Sequence, residues 1–263
     1  MTVYFIGAGP GAADLITLRG HRLLQQCPVC LYAGSIMSDD LLQFCPPDAR
    51  IVDTGPLTLE QIVAEFELAH AAGLDVARLH SGDPSLYSAV AEQCRRLDER
   101  GIGYEIVPGV TAFAAAAAAL GRELTVPGIA QTVTLTRVST LSTAMPEGED
   151  LTSLARTGGT LVIHLAAHRI DAIVPELTAG GYRPDTPVAV VAFASWPQEI
   201  ILRGTLADIA GQMRQAGVTR TAVIIVGDVV GDVVGDGVGD GTAAQGFTDS
   251  YLYSARRTRG DRH

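Results

Sequence analysis

Apolar runs suited to buried strands alternate with segments of helical periodicity through the first half of the chain. The run from Val3 to Ile6 is continuously apolar, which is typical of a strand buried on both faces. Similar signals predict strands at 28–32, 75–80 and 104–107. Helices are predicted between and after these strands, at about 15–26, 59–72, 83–100 and 112–120.

Residues that favour helix ends support two of these helices. Thr58 and Gln61 have the spacing of a capping box, and Gly73 follows the last helical position. Asp83 and Pro84 are residue types that favour the cap and the first turn of the next helix. We therefore expect that helix to begin at Asp83.

The alternation of strands and helices predicts a parallel sheet, and the pattern breaks where Pro127 and Gly128 occur. A second α/β set follows, so the fold class predicted is α/β, with two α/β domains at 1–124 and 125–263. The strands of the second domain are predicted at 132–136, 160–165, 187–193, 199–203 and 221–226, and its helices at 169–178 and 206–216.

Composition and charge exclude some classes of function. The net charge is -10 and the pI is near 5.0, so the acidic surface repels phosphate backbones and no nucleic acid partner is expected. The longest apolar run, 110–120, is much shorter than the roughly 20 residues of a membrane span, so no membrane association is expected. The chain begins with a strand pattern rather than a signal peptide, and its four cysteines are typical of a reducing cytoplasm.

Two segments near the C-terminus have unusual composition. Residues 229–241 repeat a Val-Val-Gly-Asp pattern, which predicts a flexible low-complexity insertion. Residues 256–263 form a basic tail that we expect to be frayed.

Three glycine-containing turns follow predicted strands and are the main candidates for a binding site. They are Gly7–Gly11, His80–Ser85 and Pro108–Ala112. Because ligands collect at the carboxyl ends of parallel strands, we expect these turns to converge. The first turn is similar to a dinucleotide fingerprint, which leaves an NAD-dependent oxidoreductase as an alternative. Pro10 has no backbone N–H for a pyrophosphate, however, and no acidic residue follows Tyr32 to bind a ribose.

The chain resembles the tetrapyrrole (corrin and porphyrin) methylase family along nearly its whole length. The resemblance rests on five segments in order, at 3–11, 14–20, 81–84, 108–112 and 221–227. It implies two α/β domains with S-adenosyl-L-methionine bound in a cleft between them. Segments 31–35, 136–139 and 193–197 are most similar to family members that methylate precorrin-4 at C11 to give precorrin-5 in cobalamin biosynthesis. A cobalt-bearing substrate, another ring carbon and a non-catalytic sensor of the cofactor stay open as alternatives.

The resemblance also implies which residues bind cofactor and substrate. The cofactor contacts carried over are Gly9, Pro10, Gly11, Ser81, Gly82, Asp83, Leu86, Thr111, Ala112, Leu165, Ala166, Ala194 and Ala222. Arg137 and Arg169 each follow a predicted strand of the second domain and are the candidates for binding the carboxylates of the substrate. Tyr32 and Trp196 are candidates for packing on its macrocycle.

Catalytic and metal-binding residues are less well specified. Related uroporphyrinogen methylases have an Asp, proposed as a base, where this chain has Ala33, so no catalytic residue is assigned. No metal is expected, because the pair Cys27 and Cys30 lacks two further ligands. Family members are usually homodimers, which the resemblance extends to this chain.

Overall fold

The computed structural model describes residues 1–34, 37–139 and 144–231. The basic tail, nearly all of the Val-Val-Gly-Asp segment and Ser35 lie outside the described residues. The chain divides into two compact units. The first comprises residues 1–115 together with 193–198, and the second comprises 116–192 and the chain from Glu199 onwards. The prediction of two α/β units is confirmed.

The first unit has a sheet of five parallel strands. They are β1 (Thr2–Gly7), β2 (Val29–Tyr32), β3 (Arg50–Asp53), β4 (Val76–His80) and β5 (Gly103–Val107). Their order is β3-β2-β4-β1-β5, and every pair is parallel, as predicted. Phe5 of β1 is fully buried and meets Phe66 edge to face, which gives one face of the sheet an aromatic core. Strand β3 was not predicted from the sequence.

The helices of the first unit are α1 (Leu18–Leu24), α2 (Leu59–Ala71) and α3 (Val90–Asp98), and α4 (Ala112–Leu120) begins in this unit and ends in the second. The capping box of α2 is confirmed, since Thr58 N–H donates to the Gln61 side chain and Gln61 N–H donates to the Thr58 hydroxyl. The predicted start of the next helix at Asp83 is wrong, because α3 begins at Val90. Tyr87 and Ala89 have left-handed backbone angles, which interrupt any helix before that point.

The second unit has a mixed five-stranded sheet. Its strands are β6 (Val133–Arg137), β7 (Thr160–His164), β8 (Pro187–Ala192), β9 (Ile200–Thr205) and β10 (Ala222–Val226), in the order β6-β7-β10-β8-β9. Only β6 and β7 pair in parallel, and the other three pairs are antiparallel. Its helices are α5 (Leu151–Ala155), α6 (Ile170–Gly180) and α7 (Ile209–Gln215). Within the described ranges, neither unit has a helix long and apolar enough to cross a membrane.

Candidate functional site

Three loops of the first unit come together at the carboxyl ends of β4, β1 and β5, which are neighbours in the sheet. We call these loops, residues 7–12, 81–86 and 108–112, the glycine edge. The parallel sheet places them side by side because each strand ends at the same border. The predicted convergence of the three turns is thus present in the structure.

Backbone hydrogen bonds join the first two loops of the glycine edge. Ala8 N–H donates to the His80 carbonyl at 2.8 Å. Gly9 and Gly82 then exchange two hydrogen bonds, with N–O distances of 3.2 and 2.7 Å. Both glycines have positive φ, +80° and +69°, which L side chains rarely adopt. The residue type at these two positions is therefore set by backbone conformation.

Close contact between loops explains a further pair of glycines. A Cβ atom on Gly109 would lie 2.2 Å from the Gly82 carbonyl oxygen and 2.7 Å from the Gly7 Cα. A Cβ on Gly7 would lie 2.5 Å from the Gly109 Cα. These glycines let the loops pack on one another, whether or not a ligand is bound. The other predicted cofactor residues of these loops are partly exposed along the same edge: Ser81, Leu86, Thr111 and Ala112.

The Asp83 carboxylate joins the second loop to the third. One oxygen accepts the Ser85 N–H at 2.8 Å, and the other accepts the Gly109 N–H at 2.7 Å. Burial alone would raise the pKa of Asp83, but the hydrogen bonds from Ser85 and Gly109 outweigh burial and lower that pKa below its ordinary value. Asp83 was expected to touch the cofactor, and here its oxygens are already engaged in holding the loops.

A buried polar pair, Arg78 and His80, lies on β4 just before the second loop; the sequence placed His80 in the second candidate turn, but Arg78 was not singled out. Arg78 donates to Thr54 at 2.9 Å and to Gln93 at 3.2 Å. His80 is 6% exposed, and burial, followed by repulsion from Arg78, lowers its pKa to about 3. Its ring also hydrogen-bonds the backbone of Ser88. The signal in the sequence is two polar residues inside an otherwise buried strand.

The chain between β8 and β9 contributes residues 193–198 to the first unit. Ala194 is buried here, with 6% of its surface exposed. The Trp196 side chain contacts the first loop of the glycine edge rather than standing free. Substrate contact by Trp196 stays a prediction.

The second unit holds the remaining predicted cofactor residues. Leu165 follows β7 with a left-handed φ of +54° and is 58% exposed, which is unusual for a large apolar residue. Ala166 and Ala222 are buried. Cofactor contact by these three residues stays a prediction.

The two arginines predicted to bind substrate both donate to the loop that follows β6. Arg137 Nη1 donates to the Val138 carbonyl at 3.0 Å, and Arg169 Nη1 donates to the Ser139 carbonyl at 2.6 Å. Two positive charges are therefore directed to one loop of the second unit. Tyr32 ends β2 in the first unit and is partly exposed. Substrate binding by these three residues also stays a prediction.

A comparison with known families decides the assignment. The sequence profile of the Tetrapyrrole (Corrin/Porphyrin) Methylases matches residues 2–210. The chain belongs to this family. It is a methyltransferase, and as a tetrapyrrole methylase it combines the glycine edge of the first unit with a mixed second sheet.

Three relatives show how close this tetrapyrrole methylase is to known enzymes. It is 74% identical over 257 residues to a precorrin-4 C(11)-methyltransferase of Mycobacterium tuberculosis, covering 98% of each chain. The solved structure of a cobalt precorrin-4 methyltransferase has 42% identity and a TM-score of 0.85, covering 87% of this chain and 95% of that one. A uroporphyrin-III C-methyl transferase from Thermus thermophilus, complexed with S-adenyl homocysteine, has 31% identity and a TM-score of 0.73 over 88% and 99% of the two chains.

Proposed function

We propose that this enzyme transfers a methyl group from S-adenosyl-L-methionine to C11 of precorrin-4, giving precorrin-5, in cobalamin biosynthesis. The observation that carries the proposal is 74% identity along 98% of both chains with a relative of that activity. The cobalt precorrin-4 methyltransferase, at 42% identity, supports a second candidate, the same transfer to a cobalt-bearing ring. The difference in identity favours the metal-free substrate.

The glycine edge suits the proposed cofactor. The turn at Gly9, Pro10 and Gly11 is buried, and the spaces that a Cβ would fill at Gly9 and Gly11 are taken by Leu15 and Trp196, so this turn shapes the edge through the path of its backbone. Leu86 and Ala112 add small apolar surfaces beside them. Ser81 and Thr111 bring hydroxyl groups to the same edge, and these can bond polar atoms of the ligand.

Catalysis then depends on positioning. When bound, S-adenosyl-L-methionine supplies a methyl group on a positively charged sulfur, already activated for transfer. The residues of the chain bind and orient the reactants and exclude water. Such positioning can lower the activation free energy by roughly 7–11 kcal/mol. Neither Asp83 of the glycine edge nor the neighbouring His80 of β4 suits a general base, because His80 is buried and Asp83 is engaged by two N–H groups.

Recognition of a polyanionic ring requires positive charge, because the chain as a whole carries -10. Arg137 and Arg169 supply such charge beside the loop after β6. A guanidinium group binds a carboxylate through two parallel hydrogen bonds, which fixes orientation as well as charge. We assign these two residues to the carboxylate side chains of the substrate.

The proposal extends to location and assembly. All four cysteines are free thiols, as is typical of a reducing cytoplasm. The family resemblance implies a homodimer. Analytical ultracentrifugation measures the mass directly, and a species of 27.5 kDa at micromolar concentration would contradict the dimer.

The decisive experiment uses S-adenosyl-L-methionine labelled with ¹³C in its methyl group. The purified enzyme is incubated with precorrin-4 and, in parallel, with the cobalt-bearing ring, and the products are analysed by mass spectrometry and NMR. We expect one added methyl group, attached at C11, and faster turnover of the metal-free ring. Faster turnover of the cobalt ring would select the second candidate, and a methyl group at another carbon would overturn both. Binding of NADH in calorimetry would instead support the oxidoreductase alternative.

A further inference from the structure

Two neighbouring residues of segment 193–198 hold the first loop of the glycine edge on either side of Gly11. The indole Nε1–H of Trp196 donates to the Pro10 carbonyl at 2.9 Å. The Ser195 hydroxyl accepts the N–H of Ala12 at 3.0 Å. Between these bonds Gly11 packs against the indole so closely that a Cβ would lie 2.1 Å from its Cδ1 atom. The first loop therefore has three points of contact with this segment.

These hydrogen bonds fix two consecutive peptide planes. Because a peptide unit is planar, the direction of the Pro10 carbonyl determines the direction of the Gly11 N–H. In the same way, the bond to Ser195 sets the plane between Gly11 and Ala12. Glycine is the residue most free to rotate, so without these bonds this part of the loop has many accessible conformations.

The segment adopts an unfavourable backbone conformation to make these contacts. Phe193 has φ of +52° and Ser195 has φ of +68°, a region that non-glycine residues rarely occupy. Strained backbone persists only where surrounding contacts hold it, and such strain is concentrated at functional sites. The contacts with Pro10, Gly11 and Ala12 hold this segment on the first loop.

We propose that Ser195 and Trp196 are positioning residues for cofactor binding. They hold the first loop in the conformation that receives S-adenosyl-L-methionine, and Trp196 acts through Pro10 and Gly11 rather than by stacking on the tetrapyrrole. This inference rests on the proposed function and adds to it a specific role for two residues that lie more than 180 positions from the loop.

The test exploits the fact that the chain has one tryptophan. Biosynthetic replacement by β-(3-benzothienyl)alanine changes only Trp196, and it substitutes a sulfur atom for the N–H while keeping the shape of the ring. We expect the Kd for S-adenosylhomocysteine, measured by calorimetry, to rise about 3- to 10-fold, the range for one neutral hydrogen bond. At saturating S-adenosyl-L-methionine, the KM for precorrin-4 should stay unchanged.

A second variant pair tests the other half of the contact. Ser195→Ala removes the acceptor of the Ala12 N–H and should raise the same Kd by a similar factor, whereas Ser195→Asn keeps an oxygen acceptor, tolerates the left-handed backbone and should restore affinity. Thermal melts of each variant show whether it is folded. Tryptophan emission of the native protein should change on titration with S-adenosylhomocysteine, with the midpoint found by calorimetry.

The outcomes separate this inference from the proposed function. If the native protein binds S-adenosylhomocysteine and the benzothienyl and Ser195→Ala proteins bind it equally well, the positioning role is overturned. A higher KM for precorrin-4 with unchanged cofactor affinity would instead assign Trp196 to the ring. If the native protein itself fails to bind S-adenosylhomocysteine, the proposed function fails, and the inference fails with it.

Discussion

The carboxylate of Asp83 accepts the backbone N–H of Gly109 at 2.7 Å, although the two residues follow different strands of the sheet. The same carboxylate accepts the Ser85 N–H at 2.8 Å within its own loop. One side chain thus ties two loops of the glycine edge together. Its charge matters, because hydrogen bonds to an ionised acceptor are stronger than those to a neutral one.

Asp83→Asn should weaken this link and loosen the glycine edge. The amide keeps one oxygen acceptor but presents an NH₂ group where the second N–H now donates, so one donor is left unsatisfied. We expect a loss of about 1–3 kcal/mol in the free energy of unfolding, measured in urea, together with weaker binding of S-adenosylhomocysteine. Asp48→Asn, at an exposed position, is the control and should change neither quantity. Native stability and affinity in Asp83→Asn would show that the charge is dispensable.

Gly109→Ala should be the most disruptive single-methyl change at this edge. Its Cβ would lie 2.2 Å from the Gly82 carbonyl oxygen, and the contacting atoms are backbone that has little room to move. Overpacking of this kind costs typically about 1–3 kcal/mol, so the melting temperature should fall clearly. Gly211→Ala in α7 is the matched control, because a Cβ there would meet no atom within 4 Å apart from the neighbouring backbone of its own helix, and alanine favours a helix by about 1 kcal/mol relative to glycine. Equal melting temperatures for the two variants would contradict the packing described for the loops.

His80 should make the protein less stable in mild acid. Its pKa is lowered to about 3 in the folded state, against about 6.5 in an unfolded chain, so the unfolded state binds a proton first as pH falls. The stabilisation is complete above pH 6.5 and is lost progressively below it, by about 2 kcal/mol at pH 5. His80→Asn can still hydrogen-bond the Ser88 backbone but does not titrate. The difference in urea stability between pH 7 and pH 5 should therefore be smaller in the variant, and an equal difference would refute this role.

Arg169→Ala should affect substrate rather than cofactor. Loss of a charge-assisted bond to a carboxylate should raise the KM for precorrin-4 by roughly 10- to 100-fold. The Kd for S-adenosylhomocysteine should be unchanged. Arg214→Ala removes an exposed arginine that pairs with Asp171 and should leave both constants at native values. Weaker cofactor binding with a native KM would remove Arg169 from the substrate site.

Much of the first unit could be predicted because its signals are local. Buried parallel strands read as apolar runs, and Thr58 and Gln61 are only three residues apart, so their reciprocal bonds follow from the sequence alone. Strand β3 was missed because it lacks a local signal of this kind. Its four residues lie at the edge of the sheet and none is fully buried, so they lack the apolar run that identifies the other strands.

Features that depend on distant contacts could not be predicted. The helix expected at Asp83 has a favourable local sequence, and Asp83 does accept the Ser85 N–H, but the left-handed backbone at Tyr87 and Ala89 delays the helix to Val90. Antiparallel pairing in the second sheet could not be predicted either, because β8 and β10 are buried along nearly their whole length and show the same continuous apolar runs as buried parallel strands. The residues of the candidate cofactor site were identified through family resemblance, and the contacts that orient them became visible only in the fold.

The bond between Trp196 and Pro10 has a consequence for how the protein is made. The two residues are 186 positions apart. At the usual 5–20 residues per second, a ribosome therefore adds Trp196 about 10–40 s after it adds Pro10. Throughout that interval the nascent first loop lacks its partner. The amino-terminal half of the polypeptide therefore reaches its final loop geometry only late in translation, and a truncated transcript that ends before the Ser195 codon would yield a first sheet without a fully shaped loop.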